Sequence, residues 1–286
     1  MPQLSLLFKQ YRDWLRLFRV HNARSPILFY FLGFRLSSQS VVTPDLILIP
    51  LSFISGYAYA SILNFLCDRD IDQLNQRRLP LPLISLNNSP LYHLAYATAG
   101  TSLFIAMFTK HPMLNVFYLS LMLLLGYLYS RPQKPWSFHP LGKFLIMSLS
   151  YLFLPGIMGL GNHFSTASLT IIIYVSLYYA SWQLFNDVKD IRGDRLRGKL
   201  TLAVVLGSRK LAQLSLAISF ISAAFLLLQL YSRQIESLFL LTAFYAVLFV
   251  LQLNLVLKPS LVSHPTHRAL SGYLLLGSLI LLIVSV

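Results

Sequence analysis

A chain of 286 residues that is 56% hydrophobic and only 11% charged, with a mean hydropathy of +0.64, has too little polar surface for a soluble domain of its size and reads as an integral membrane protein. Its formal charge of +14 comes from 23 basic residues against nine acidic ones, and the distribution of the basic residues along the chain argues against a nucleic-acid partner. A single cysteine, Cys67, excludes an intramolecular disulfide framework and reads as helix filler.

The first element is residues 1–23. Leu4, Phe8, Tyr11, Leu15 and Phe18 form one helical stripe with Lys9, Arg12, Arg16 and Arg19 around it, which predicts an amphipathic helix lying in the membrane interface. Its cationic region is too long for a cleavable signal peptide, and no small-residue cleavage site follows. Apolar runs then predict about nine transmembrane helices, near 24–40, 45–64, 88–108, 112–130, 141–161, 167–186, 211–231, 235–257 and 267–286. With the chain start and alternate loops on one side, that side holds twenty of the 23 basic residues. Arg35, Lys110 and Arg233 remain for the other, so the N-terminus and the polar span ends are expected at the cytoplasmic face. No transit-like leader is visible, which favours a bacterial inner membrane.

The second span runs into N-F-L-C-D-R-D-I-D, with Asn64, Asp68 and Asp72 four residues apart. Pro80 and Pro82 stop the helix soon afterwards and hold Asn75, Arg77 and Arg78 in a short loop. The fourth span ends in Y-L-Y-S-R-P-Q-K. Tyr129 and Ser130 thereby reach the same side as the acids, and an aromatic face there could stabilise a developing cation. Pro155, Gly156, Gly159 and Gly161 are expected to bend the fifth span or let a neighbour pack closely. The sixth span delivers N-D-V-K-D-I-R-G-D, where Asn186, Asp190 and Asp194 repeat the first trio at a constant offset of 122 positions. The loop after it is the most basic part of the chain, and spans seven to nine hold almost no chemistry.

Spacing of four places each trio on one helical face. Residues 24–286 are accordingly read as one transmembrane domain of two pseudo-repeated halves carrying acid motifs at 64–72 and 186–194. Six of the nine acids lie in these two stretches, Asp70 and Asp187 off the shared face, where a cap or salt bridge is as good a reading. Carboxylates and amides are hard oxygen ligands suited to magnesium, and the adjacent lysines and arginines suit a phosphate-bearing ligand. The expected architecture is therefore all-α, a polytopic bundle around a central cavity open to the cytoplasmic side. Its natural ligand is a prenyl diphosphate, with the head at the metal and the tail between apolar helices.

These features resemble the UbiA superfamily of intramembrane prenyltransferases over most of the chain. D-R-D-I-D-Q-L-N followed by P-L-P is similar to the first motif of the chlorophyll synthase branch, and N-D-V-K-D-I-R-G-D-R with G-K-L-T-L-A-V-V-L-G to the second motif of the superfamily. The resemblance implies that Asp68, Asp72, Asp190 and Asp194 hold Mg2+, and that Asn64 and Asn186 complete the metal-diphosphate set. Arg77 or Arg78, Lys134, Arg192 and Lys199 would reach diphosphate oxygens, Arg19 and Asn22 would line the cavity as an R-x-x-N pair, and Tyr129 would stand near the ionising carbon. Two departures stand out: Phe65 replaces the Asp that usually follows the first Asn, and Leu79, Leu83 and Ile84 alter the usual R-P-(I/L)-P-S-G loop. The activity implied is transfer of a polyprenyl chain to an electron-rich, aromatic, quinone-precursor type of small hydrophobic acceptor in the lipid membrane. A terpene cyclase or a prenyl ether- or ester-forming lipid enzyme is the alternative. A transporter ranks third, because its acids would be expected nearer the bilayer midplane.

Overall fold

The computed structural model describes residues 17–18, 20–37, 43–74, 88–130, 136–235, 237–258, 261 and 265–286, and for 20–21, 70–74, 88, 186, 265 and 268 the backbone alone. Among these residues every regular element is a helix. After a 3-10 turn at Val20–Ala23 come α1 (Arg24–Leu36), α2 (Asp45–Leu74), α3 (Asn88–Ala106) and α4 (Pro112–Ser130). The fifth expected span is broken into α5 (Gly142–Ser148), a π-helical stretch at Leu149–Phe153 and α6 (Leu154–Leu160). Then follow α7 (Thr166–Val188), the short α8 (Ile191–Leu196), α9 (Leu202–Ser232), α10 (Leu238–Leu257) and α11 (Pro265–Ser285). The predicted interfacial helix at 1–23 lies almost wholly outside the described residues.

Each of the nine expected apolar segments contains a helix. Among the described residues, six stretches are long and apolar enough to cross a membrane: Asp45–Arg69, Pro112–Ser130, Gly142–Leu160, Thr166–Phe185, Leu202–Ser232 and Leu238–Leu257. The three remaining segments fall short on length or hydropathy. α1 has only 13 residues, the apolar part of α11 is Ala269–Ser285, and α3 is diluted by Asn88, His93, Thr98, Thr101 and Ser102.

The chain forms two compact units, residues 1–27 with 41–137, and residues 28–40 with 138–286. In the first, α2 packs along α3 and α4. Tyr59, Ile62, Leu63 and Phe65 of α2 bury against Leu91 and Ala95 of α3. Two hydroxyls stitch the same pair of helices: Ser55 Oγ donates to Thr98 O and Ser102 Oγ to Ser52 O, each at 2.8 Å. Away from water such bonds replace part of the hydrophobic drive that lipid-soluble helices lack. At the other end, the Lys110 N–H donates to the Asp45 carboxylate (2.8 Å), tying the α3–α4 loop to the first turn of α2, where an acid also complements the helix dipole.

In the second unit α7 is the central helix; 61% of its spanning window is buried, the largest share of the six. Its aromatic residues pack inward, with Tyr178 edge-on to Tyr245 of α10 at 4.7 Å between centroids. A polar thread runs beside them: Ser215 Oγ donates to Ser181 O (2.5 Å), the Ser181 and Ser219 hydroxyls share a hydrogen bond, and Gln252 Nε2 donates to Ser219 Oγ (2.6 Å). These links join α7 to α9 and α10, two of the three spans read from sequence as holding almost no chemistry.

The π-helical stretch has a local cause. Pro155 has no N–H to give back to residue 151 and its ring crowds that carbonyl, so the helix widens just before it. The glycines that follow bring α6 against α1: a Cβ on Gly33 would lie 1.9 Å from the Gly156 carbonyl oxygen, and one on Gly159 would lie 2.0 Å from that of Tyr30. Backbone on both sides leaves nothing able to give way. Gly33→Ala and Gly159→Ala are each expected to destabilise the detergent-solubilised protein by about 1–3 kcal/mol, read as a lowered melting temperature. Gly100→Ala, where a Cβ would meet nothing within 4 Å, is expected to be neutral or to stabilise by about 0.5–1 kcal/mol. Equal effects at all three positions would remove the close-packing argument.

Candidate active site

The first acid motif lies on one uninterrupted helix. Asn64 and Asp68 are half-buried on α2, and Asp72 follows one turn later on the same helix, which continues to Leu74. Phe65 is buried to 4% exposure between α2 and α3. An aspartate there would have to leave water for an apolar contact, which explains why this chain carries phenylalanine at the position. Cys67 does more than fill the helix: its thiol donates to the carbonyl oxygen of Ser130, one of the orphan carbonyls at the C-terminus of α4. That bond ties the end bearing half-buried Tyr129 to the residue preceding Asp68.

The second motif differs from the uniform helical face that its spacing predicts. α7 stops at Val188, the Asp190 N–H bonds back to Asp187 O (3.0 Å) in a tightened turn, and the chain restarts as α8 with Asp190 at its N-cap position. Asn186 and Asp187 thus end one helix, while Asp190 and Asp194 begin the next. Helix dipoles favour this break. Acids are unfavourable in a last turn and favourable in a first, so restarting the helix moves two of the three carboxylates to the better end.

α8 ends in a Schellman motif. Gly198 takes φ +69°, its N–H bonds to Arg195 O (3.1 Å), and the Lys199 N–H bonds to Asp194 O (2.9 Å). This fold-back returns Lys199 to the acids. Its ammonium sits over the Phe138 ring, 5.0 Å from the centroid, and the next residue's N–H bonds to Phe138 O (3.0 Å). Thr201 caps α9 through the Val204 N–H and donates its hydroxyl to Asp194 Oδ2 at 3.4 Å.

Asp187, Asp190, Asp194 and Lys199 are all buried. Lys143, the second residue of α5, forms an ion pair with Asp187. Burial pushes the Asp187 carboxyl up, and the Lys143 ammonium pulls it only part of the way back. Asp194 is likewise pushed up by burial, against the opposing charges of Lys143 and then Lys199. At both carboxyls burial outweighs the nearby positive charge. Among the described residues no three Asp, Glu, His or Cys side chains group closely enough to hold a metal on their own. Magnesium seldom needs such a cage; it is commonly bound by one or two carboxylates together with substrate phosphates and water. The oxygen-only donor set of Asp190 and Asp194 fits that mode.

Of the other expected residues, Arg192 is exposed on α8 and Asn22 is half-buried in the turn before α1. Arg19, Arg77, Arg78 and Lys134 lie outside the described residues, as do Leu79, Leu83 and Ile84, and the side chains of Asp72 and Asn186 are not described. Lys143 and Phe138 were not singled out by the sequence reading. The available signal for Lys143 was a lone charge at the foot of an otherwise uncharged apolar span.

Two measurements probe this arrangement. Gly198→Ala forces a side chain into the left-handed region without any clash and is expected to cost about 1–2 kcal/mol in thermal or denaturant stability. A wild-type value would show that the turn does not depend on it. Because folded Asp194 keeps its proton to higher pH than the unfolded value of 3.8, folding takes up protons in that window. Its contribution costs nothing below the unfolded value, lowers stability as pH rises through the folded value, and is constant above it. Melts of the metal-free protein across the acid range should show that fall, and Asp194→Asn should flatten it. Identical curves would overturn the assignment.

The UbiA prenyltransferase family profile matches residues 27–271. Chlorophyll synthase from the chloroplast of Oryza sativa subsp. japonica is 32% identical over 162 residues, covering 52% of this chain and 42% of that one. Digeranylgeranylglyceryl phosphate synthase of Methanoculleus marisnigri is 26% identical over 205 residues, 69% of each chain. The match thus spans under half of the plant relative and about two thirds of the archaeal one. A UbiA homologue from Archaeoglobus fulgidus, solved with DMAPP and Mg2+, shares the fold at a TM-score of 0.63 and 18% identity, over 96% of this chain and all of that one. Polytopic helices, paired acid motifs and a family match over most of the chain agree: this protein is a member of the UbiA prenyltransferase family.

Proposed function

We propose that this chain is an intramembrane prenyltransferase that moves a polyprenyl group from a prenyl diphosphate to an electron-rich acceptor. The observation that carries the reading is the second acid motif: three buried carboxylates with Lys143 and Lys199 among them, at the end of a helix long and apolar enough to span the membrane. Asp68 and Asp72, and Asp190 and Asp194, would hold Mg2+. Bound there, the metal would draw negative charge onto the leaving diphosphate.

The chain's own residues do the rest. Lys199, steadied by Phe138 and the Schellman turn, offers a fixed cation to diphosphate oxygens, with Arg192 and the basic residues Arg77, Arg78 and Lys134 in support. Asn64 and Asn186 complete the metal-diphosphate set, and Arg19 and Asn22 line the cavity. Tyr129 presents an aromatic face to the carbon that loses the diphosphate. Apolar helices hold the isoprenoid tail and exclude water from the cationic centre. An aromatic acceptor needs orientation and the loss of one ring proton, for which a carboxylate of the second motif is the nearest base. The asymmetry of basic residues supports placing this chemistry at the cytoplasmic face.

A second reading, transfer to a hydroxyl to form an ether, is favoured by the similarity to digeranylgeranylglyceryl phosphate synthase. Diphosphate release from geranyl, farnesyl and geranylgeranyl diphosphates separates these possibilities, using purified protein with and without Mg2+. Mg2+-dependent turnover is expected with an aromatic acceptor such as 4-hydroxybenzoate or homogentisate, reduced at least about 100-fold by Asp68→Ala or Asp190→Ala. Turnover only with a glycerophosphate acceptor selects the ether reading, and a cyclised product without acceptor selects a terpene cyclase. No Mg2+-dependent release under any condition overturns the proposal.

A further inference from the structure

Lys143 stands where an apolar helix begins, and no other charged residue occurs between it and the end of α6. Its side chain is 21% exposed and that of its partner Asp187 is 11% exposed. Its charge also reaches Asp194, where it opposes the effect of burial more strongly than Lys199 does. The other cations of the stretch (Lys189, Arg192, Arg195 and Arg197) are exposed. Lys189 also acts on Asp187, more weakly than Lys143 does, so Lys143 and Lys199 are the ammonium groups held out of bulk water beside the three buried carboxylates. Lys199 is committed by the α8 turn and by Phe138. The Asp187 end falls chiefly to Lys143, which forms the ion pair there, because a buried carboxylate without a counter-charge is strongly unfavourable.

We propose that Lys143 is the resident counter-cation of the second acid motif: it competes with a divalent ion for Asp187 and leaves Asp190 and Asp194 as the pair that takes metal. The inference rests on the reading that this motif holds a divalent ion. Charge counting shows what the arrangement achieves. With one divalent ion on Asp190 and Asp194, and with Asp187 neutralised by Lys143, the buried set keeps the positive charge of Lys199 for an anionic ligand. Without Lys143 the same set with one ion would be neutral. It would hold the ion more tightly and attract the diphosphate less. Lys143 thereby makes metal binding in this half weak until a phosphate ligand contributes its own oxygens.

The test reads metal binding directly. In a chain carrying Asp68→Asn and Asp72→Asn, so that the second motif alone reports, Mn2+ affinity is measured by electron paramagnetic resonance in detergent without any prenyl diphosphate. Lys143→Met is expected to tighten Mn2+ binding by roughly tenfold or more, since it removes a nearby positive charge and frees a carboxylate. Lys143→Arg, which keeps the charge, should stay within about twofold of the parent. Lys143→Met with Asp187→Asn should return to the parent affinity, because competitor and contested ligand leave together. Weaker or unchanged binding in Lys143→Met overturns the proposal, as does a double variant bound tenfold more weakly than the parent, which would make Asp187 a metal ligand. If Lys143→Met alone fails to fold, the double variant still decides. Absence of Mn2+ binding in every variant, the parent included, overturns the metal reading of this motif itself and is thereby distinct from failure of the role given to Lys143.

Discussion

Carboxylates buried at the end of an apolar helix are the constraint on which this molecule turns. Taking one from water to a low-dielectric neighbourhood is unfavourable by several kcal/mol unless charge or hydrogen bonds offset it. In the second unit nearly every irregular feature near α7 bears on that offset. The helix ends early, α8 starts at an aspartate, a left-handed glycine turns the chain back, and the lysine after it lies on an aromatic ring beside the acids. The one strongly charged side chain admitted to the broken fifth span pairs with the acid that α7 leaves in its last turn. Remove the acids and none of these devices has a purpose.

The rest of each unit supplies rigidity. Lipid-exposed helices gain little from hydrophobic contact with one another, so close approach and interhelical hydrogen bonds carry the association. α1 against α6 uses the first means, through Gly33, Gly156 and Gly159. α2 with α3, and α7 with α9 and α10, use the second. Large aliphatic and aromatic residues such as Ile47, Phe117, Phe220 and Phe239 remain exposed, as expected where the solvent is hydrocarbon.

What could be read from the sequence is what is local. Apolar runs, Pro and Gly punctuation and acids spaced by four located the helices and both motifs, because each signal lies within a few turns of chain. Pairings made across the fold left no such trace. Lys143 with Asp187, Phe138 with Lys199 and Cys67 with Ser130 join residues 44 to 63 positions apart, and no periodicity marks them. The break after Val188 was hidden for a different reason. A tightened turn followed at once by another helix preserves the spacing of Asn186, Asp190 and Asp194 while changing the backbone that carries them.

That break makes the two motifs unequal despite their identical spacing. Asp68 and Asp72 stand in the last turns of a helix of 30 residues, whose C-terminal partial negative charge adds to theirs and favours a bound cation. Asp190 and Asp194 stand where the 23-residue α7 has just ended and the six-residue α8 begins, so partial charges of opposite sign meet beside them. The end charges of α7 and α8 offset one another there, whereas the Lys143 charge opposes a bound cation. What the chain repeats is the spacing of its oxygen ligands. The field around them is not repeated.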